Sequence, residues 1–402
     1  MIKKTALALA FAALASLLCG CLKPVSLDAY GYVITMGVDK GTEKKYYFTF
    51  ALQRELAEQD ISSEGGAIAL SAEGSDVFEA MNEIEGNIPY SLNFSRTGFI
   101  VVSRELAEEG ALEELVGTSF DSLKIRTSAA VLVCEDDAGR FVGGMYSNND
   151  ANISKLQSAL MLDKKKTGMV NVMSVSRLLE ATGDGRFDFC SAYGRYDDSI
   201  ITDMSQKKAE SEGENPLKDV GKGMRAGGLK SVIDGAAIFS GWRMTGTLSR
   251  EETMLLNMAT GEFESGVVSF DLGEKGVRAI LLTLRSSKKK ARLTDKGGLE
   301  AECRIMLDAS MHLVSAGTSS READEWITKE VPRLIEEKLR ALFYKCRSAS
   351  SDAMRFGVSA SKLFRSASAW ESFDLKAAYS SLEPVFTVEV RNVDKYVSED
   401  MQ

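Results

Sequence analysis

Histidine is almost absent: His312 is the single one in 402 residues. One imidazole excludes zinc sites built from two or three of them. It also leaves a single candidate base for a Ser-His or Cys-His pair. His312 falls in the apolar run Met311-His312-Leu313-Val314 and reads as a strand residue. No G-x-S-x-G elbow accompanies it. After the N-terminus there is no apolar run of the roughly 20 residues that a spanning helix needs. Positive charge is in deficit, with 49 Lys and Arg against 58 Asp and Glu and a net charge of −9. As a whole such a surface repels nucleic acid and anionic lipid. No repeat of fixed period is visible.

Short motifs that could carry chemistry are incomplete. Lys166-Thr167-Gly168 matches the K-T-G of penicillin-binding enzymes, but S-x-x-K occurs only later, at Ser205–Lys208, Ser286–Lys289 and Ser359–Lys362, and S-D-N is missing. Gly221-Lys222-Gly223-Met224-Arg225-Ala226 fits G-x-G-x-x-A, yet no buried strand precedes it, so a turn is expected. Asp136-Asp137 and Asp197-Asp198 sit in no calcium-loop pattern and read as caps or solvated pairs. Trp242, Trp326 and Trp370 are too dispersed for a stacking platform and are expected to anchor packing. Neither a metal site nor a cofactor is expected, and the residues make no catalytic constellation.

What is present points to export. Lys3 and Lys4 precede an apolar stretch from Ala6 to Leu18, the layout of a signal peptide. Leu18-Cys19-Gly20-Cys21 lacks A-x-A and instead resembles a lipobox, with Leu at −3, a small residue at −1 and then cysteine. Cys21 is therefore the expected lipidation site. Cys19 is a poor alternative because the bulky Leu18 precedes it. The two acyl chains of a diacylglyceryl group on the thiol give stable anchoring, where a single chain would be marginal. Cleavage would remove two lysines and no acid from the −9 total, leaving about −11. Cys134, Cys190, Cys303 and Cys346 are irregularly spaced, and four cysteines allow three pairings. Cys134 ends the apolar run from Ala129 and is expected as a buried thiol.

Along the chain, Tyr32–Val38 predicts a first strand, Asp39-Lys40-Gly41 a turn, and Tyr46–Leu52 its hairpin partner. Gly37 and Gly41 are expected to set that turn. Ser75 is expected to cap a helix carrying Val77, Met81 and Ile84. Phe99–Ser103 and Ala129–Cys134 read as buried strands. A helix from about Glu105 to Val116 lies between them, and a short one capped by Asp136 or Asp137 follows. Further helices are expected near Ile153–Leu162 and Val172–Ala181. Ser205–Lys230 is rich in Lys, Glu and Gly and reads as a solvated linker. Ala236–Phe239, a turn at Ser240-Gly241, and Met244–Leu248 form a strand pair, and Glu251–Ala259 a short helix. Gly235 is expected to let the chain pass without a side-chain clash. Gly266–Leu284 and Leu299–Val314 read as β, with the basic run Lys288-Lys289-Lys290-Ala291-Arg292 at a hairpin end. A long helix begins at the capping-box pattern Ser319-Ser320-Arg321-Glu322, with Pro332 kinking or breaking it. Val385–Val390 is a final strand.

Several of these stretches, in order, resemble the Ger(x)C family, the C-subunit lipoproteins of spore germinant receptors. They include the lipobox followed by Gly31-Tyr32-Val33-Ile34-Thr35-Met36-Gly37-Val38-Asp39-Lys40-Gly41, and the helix start Glu73-Gly74-Ser75-Asp76-Val77-Phe78-Glu79-Ala80. Val101–Gly110 continues into Ile125–Val133, and Asp234-Gly235-Ala236-Ala237-Ile238-Phe239 is similar to the family's G-A-A-x-F signature. Cys346–Asp352 and Trp370 fall near the end, where the family has a helix terminus and a tryptophan-bearing segment.

The resemblance implies an elongated α+β protein of three mixed α/β domains, with largely antiparallel sheets packed by helices. The expected division is a signal peptide (1–20), a lipid-anchored tether (21–28), an N-terminal α/β domain (29–204), a linker (205–230), a small middle domain (231–270) and a C-terminal α/β domain (271–402). The implied role is non-catalytic, at the outer face of the membrane, the inner membrane of a spore. There the chain would assemble with integral membrane A and B subunits for nutrient-triggered germination. Membrane contact would be through the diacylglyceryl anchor, with no nucleic acid, and direct binding of a small molecule stays open. The alternatives are an extracytoplasmic solute-binding lipoprotein, disfavoured by antiparallel strands in the second half, and a lipoprotein enzyme, disfavoured by the lone histidine.

Overall fold

The apolar run after residue 30 forms β1 (Tyr30–Lys40), near the middle of a ten-stranded sheet. The computed structural model describes residues 29–53, 67–146, 159–160, 165–200, 229–271, 277–295, 298–313 and 324–393. β1 folds back on β2 (Tyr46–Gln53), and β3 (Ala67–Gly74) forms that edge. α1 (Val77–Glu85) follows, then β4 (Ser91–Asn93) and β5 (Phe99–Ser103), both parallel to β1. α2 (Arg104–Glu109) and α3 (Leu112–Leu123) cross over to β6 (Ala130–Cys134), parallel to β5. After α4 (Ala138–Met145), β7 (Met173–Ser174) and α5 (Val175–Asp184) comes β8 (Cys190–Tyr196), parallel to β6.

Several local expectations shift for physical reasons. Asp76, not Ser75, caps α1: its carboxylate accepts from the amides of Phe78 and Glu79, both at 2.9 Å. The single helix expected over 105–116 is two helices, because Gly110 takes a left-handed conformation (φ 87°) that ends α2. The centre of this sheet is parallel, since helical crossovers connect its strands; apart from the short β6–β7 bridge, antiparallel pairing lies toward its flanks.

The 231–270 segment joins two sheets and does not fold apart as a middle domain. β9 (Ser231–Ser240) pairs with β8, and β10 (Arg243–Ser249) adds the far edge of the first sheet. α6 (Arg250–Thr260) follows through a capping box of Ser249 and Glu252. β11 (Ser265–Asp271) then opens the second sheet, whose order continues with β12 (Val277–Leu293), β13 (Leu299–Leu313) and a late strand. Lys288–Arg292 lies within β12, short of the turn. A π-helical turn (Trp326–Glu330) leads without a break into α7 (Val331–Ser348), and Pro332 sits just after that turn, where the ordinary helical bonding is already interrupted. α8 (Phe356–Ser361), α9 (Ala367–Glu371) and α10 (Leu375–Ser380) precede β14 (Val385–Asn392), which is parallel to β13.

Three cores result. One face of the large sheet packs on α1, α2, α3 and α5, burying Ile100, Val102, Val131 and Val133. The opposite face packs on α4, burying Phe99, Val101, Leu132 and Phe141. The third core joins the second sheet to α6 and α7 and also takes in Cys190, Ala236, Ile238 and Leu248 of the first. The two sheets are thus coupled by shared apolar burial, worth about 1.5–3 kcal/mol per large side chain.

Candidate functional site

The structured junction between the two sheets is where polar side chains are buried together. α5 ends at Gly185 (φ 58°), and the following segment presents Asp188 to both halves of the molecule. One carboxylate oxygen accepts from the Gly241 amide at the tip of the β9–β10 turn (2.7 Å), the other from the Asp352 amide after α7 (2.8 Å). Asp352 in turn caps α8, accepting from the amides of Phe356 (2.8 Å) and Gly357 (2.6 Å). Ser350 (φ 52°) and Arg355 (φ 62°) flank it in left-handed backbone, two of three such non-glycine residues among those described. Strain of this kind, about 1–3 kcal/mol each, persists only where the surroundings over-determine it. Burial pushes the Asp352 carboxyl up to about 7, with the nearby Asp188 charge adding and the two amides and Lys289 opposing. Burial raises Asp188 as well.

Beside this pair lies a cavity of about 420 Å³ lined by Phe187, Phe189, Trp242, Arg347, Lys376 and Tyr379, among others. Phe189 stacks on Phe239 (4.2 Å between ring centres) and meets Trp242 edge-on. Lys376 reaches back to the Ser240 hydroxyl at 3.2 Å. The carboxylates here accept backbone N–H groups and face no imidazole; their chemistry is to hold two chain segments together.

The other sequence candidates are scattered. Cys21, the G-x-G-x-x-A stretch and Ser319–Glu322 lie outside the described residues. His312 is on β13, opposite the start of β12. The K-T-G stretch is fastened under α6, with Asn257 donating to the carbonyls of Gly168 (2.8 Å) and Val170 (3.1 Å). Asp197 pairs with Arg195 (2.7 Å) and Asp198 with Arg140 (2.9 Å). Trp326 packs on Phe270 and Trp370 on Phe364. The four later cysteines are buried and in no disulfide, and burial raises the thiols of Cys134, Cys303 and Cys346, which suppresses nucleophilic thiolate. Among the described residues no group of three His, Cys, Asp or Glu could hold a metal ion, and no helix is long and apolar enough to cross a membrane.

The turn motif near residue 40 has more content than its glycines suggested. Gly41 does need to lack a side chain: a Cβ there would lie 2.3 Å from the Lys44 carbonyl oxygen. Gly37 is not in the turn; it lies within β1, where it admits α4. Asp39 caps α4 from across the sheet, accepting from Ala138 (2.7 Å) and Gly139 (3.0 Å), and burial pushes it up to about 6. Glu73 organises the β1–β2 turn by accepting from the amides of Thr42, Glu43 and Lys44, and these bonds, led by the Thr42 hydroxyl, hold it down at about 2. Gly235 (φ 146°) sits at a bulge between β8 and β9, where a Cβ would lie 2.0 Å from the Leu248 carbonyl oxygen.

Two family descriptions match the chain in succession: "Spore germination protein N-terminal domain" over residues 24–193, and "Spore germination B3/GerAC like, C-terminal" over residues 234–393. A solved structure, described as the crystal structure of the GerBC protein, has a similar fold. It has a TM-score of 0.52 and 11% sequence identity, with 89% of this chain and 97% of that one covered. No curated protein matches.

Proposed function

Since the chain belongs to the GerAC-like family of spore germination proteins, we propose that it works as the lipid-anchored C subunit of a germinant receptor and not as an enzyme. The observation that carries this reading is the succession of the two family matches over both halves of the chain. The lipobox at Leu18–Cys21 supports an anchor at Cys21, which would hold the protein at the outer face of the spore inner membrane. Integral membrane A and B subunits are its partners there. Confinement to the membrane plane raises effective concentration, so modest contacts suffice for assembly. The buried Asp188–Asp352 junction supports a rigid, non-catalytic body for such contacts.

The test is genetic and biochemical. Deleting the gene abolishes germination in response to one class of nutrient, and the wild-type chain restores it. Cys21→Ala releases the chain from the spore membrane fraction and reduces co-purification with polytopic partners at least tenfold. Germination that persists unchanged in the deletion strain under every nutrient defeats the receptor reading. A Cys21→Ala chain that stays in the membrane and restores germination defeats the anchor.

A further inference from the structure

Phe187 also lines a second cavity, of about 580 Å³, whose charged lining is mostly positive. Arg177 on α5, Lys288, Lys289 and Lys290 on β12, Arg355 before α8, and Lys362 after it all line this space. Glu180 is the one carboxylate among the lining residues. Three separate stretches of chain bring these cations together in a protein with net charge −9, so composition does not account for the cluster.

The geometry is built, not incidental. Glu262 is almost buried, its side chain 11% exposed, and it holds both guanidinium groups, Arg355 at 2.8 Å and Arg177 at 3.3 Å. Arg355 also stacks over the Phe187 ring at 4.9 Å. Its left-handed backbone is part of what aims it there. A guanidinium has five N–H donors in a rigid fork, so one carboxylate does not exhaust two of them. Lys289 points inward, donating to the Ala259 carbonyl and lying 5.8 Å from the Phe356 ring. Lys288, Lys290 and Lys362 are exposed and carry no ion pair among the described residues. Beyond Leu284, whose amide donates to the Glu264 carbonyl, β12 has no β11 partner, and α8 lies along this stretch with the Ser359 hydroxyl donating to the Lys289 carbonyl.

We propose that this cleft binds a phosphate-bearing anion. Six clustered cations repel one another, and Glu180 and Glu262 offset only part of that charge. A ligand with several unprotonated oxygens matches a lining of guanidinium and ammonium donors, and forked Arg contacts favour phosphate geometry. The volume exceeds what one orthophosphate fills, so the fitting class is a diphosphate or a phosphate ester. A free metabolite and an anionic lipid headgroup share this chemistry. The site is independent of the receptor role and stands or falls without it.

The test uses the full chain in a neutral detergent, with binding followed by calorimetry and by thermal stabilisation. Pyrophosphate is the first probe; dihexanoyl phosphatidylglycerol, with dihexanoyl phosphatidylcholine as control, is the second. Lys290→Glu/Lys362→Glu removes exposed charges without disturbing the core, and Arg292→Glu, outside the cleft, controls for general charge. Saturable pyrophosphate binding weakened at least tenfold in the double variant and unchanged in Arg292→Glu supports a free-anion site. The same pattern for phosphatidylglycerol alone supports a lipid headgroup. The proposal is overturned if neither probe binds, if sodium chloride at equal ionic strength reproduces the stabilisation, or if both variants weaken binding equally.

Discussion

In the ten-stranded sheet, β5 and β6 bury every residue, from Phe99 to Ser103 and from Ala130 to Cys134, whereas β13 of the four-stranded sheet buries every second one. Leu299, Ala301, Cys303, Ile305, Leu307 and Ala309 face α6 and α7; Arg304 and Met306 face outward. The outer face instead carries ion pairs, Arg304 with Glu389 and Arg391 with Asp308. Helix placement explains the contrast. The helices of the large sheet lie on both of its faces, α2 and α3 on one and α4 on the other, whereas the crossover from β13 to its parallel partner β14 packs α7 on one face of the small sheet and leaves the other to water. A continuous apolar run and an alternating one are thus two signatures of the same sheet-forming tendency under different cover.

The sharpest way to break this contrast is to place a charge on matching positions of the two sheets. Val101→Asp puts a carboxylate under α4 with no partner and is expected to cost about 4 kcal/mol or more, leaving little folded protein. Met306→Asp, on the open face of β13, should change stability by about 0.5 kcal/mol at most. Soluble yield and urea midpoints of the two variants check this. Equal tolerance of both would mean that α4 does not cover the large sheet.

The segment that joins the sheets offers a second comparison, inside one hairpin. Gly235→Ala forces a Cβ against the Leu248 carbonyl at a φ of 146° that L residues rarely adopt; about 3 kcal/mol or more should be lost. Gly246→Ala, on the neighbouring strand, meets only ordinary contacts at 3.5 Å and beyond and should stay within about 1 kcal/mol. Chemical denaturation separates them. Similar midpoints would remove the reason for glycine at the bulge.

Much of the architecture was legible because burial imposes a period on the residues. Strands at 99–103, 231–240 and 385–392, the helix over 250–260 and the turn at Gly241 all follow local patterns. Sheet partnership was not legible, since hydrogen-bonded neighbours such as β1 and β5 are distant in sequence and no residue type records the pairing. The same reason hid the candidate site. Asp188 and Asp352 meet only because α5 and α7 end at one place, and an aspartate bound to remote amides has the same sequence signature as a solvated one. The Lys288–Lys290 run was visible, but its arginine neighbours come from residues 177 and 355.

The junction between the sheets allows the most delicate test, since it is tied by two buried carboxyls that accept from backbone amides. Asp352 titrates near 3.8 in the unfolded chain and at about 7 when folded. Between those values the folded state binds the extra proton, so this group makes stability fall as pH rises, by up to about 1.4 kcal/mol per pH unit. Above about 7 the trend flattens. Asp352→Asn removes the titration and leaves one of the Phe356 and Gly357 amides facing an amide nitrogen, a loss of about 1–3 kcal/mol. Subtracting variant from wild-type unfolding free energies between pH 4 and 8 cancels groups that titrate alike in both proteins, including Asp39. The difference should favour the wild type most at pH 4 and shrink toward pH 7. A pH-independent difference would mean that Asp352 stays ionised throughout, and that the two halves are joined around a fixed negative charge.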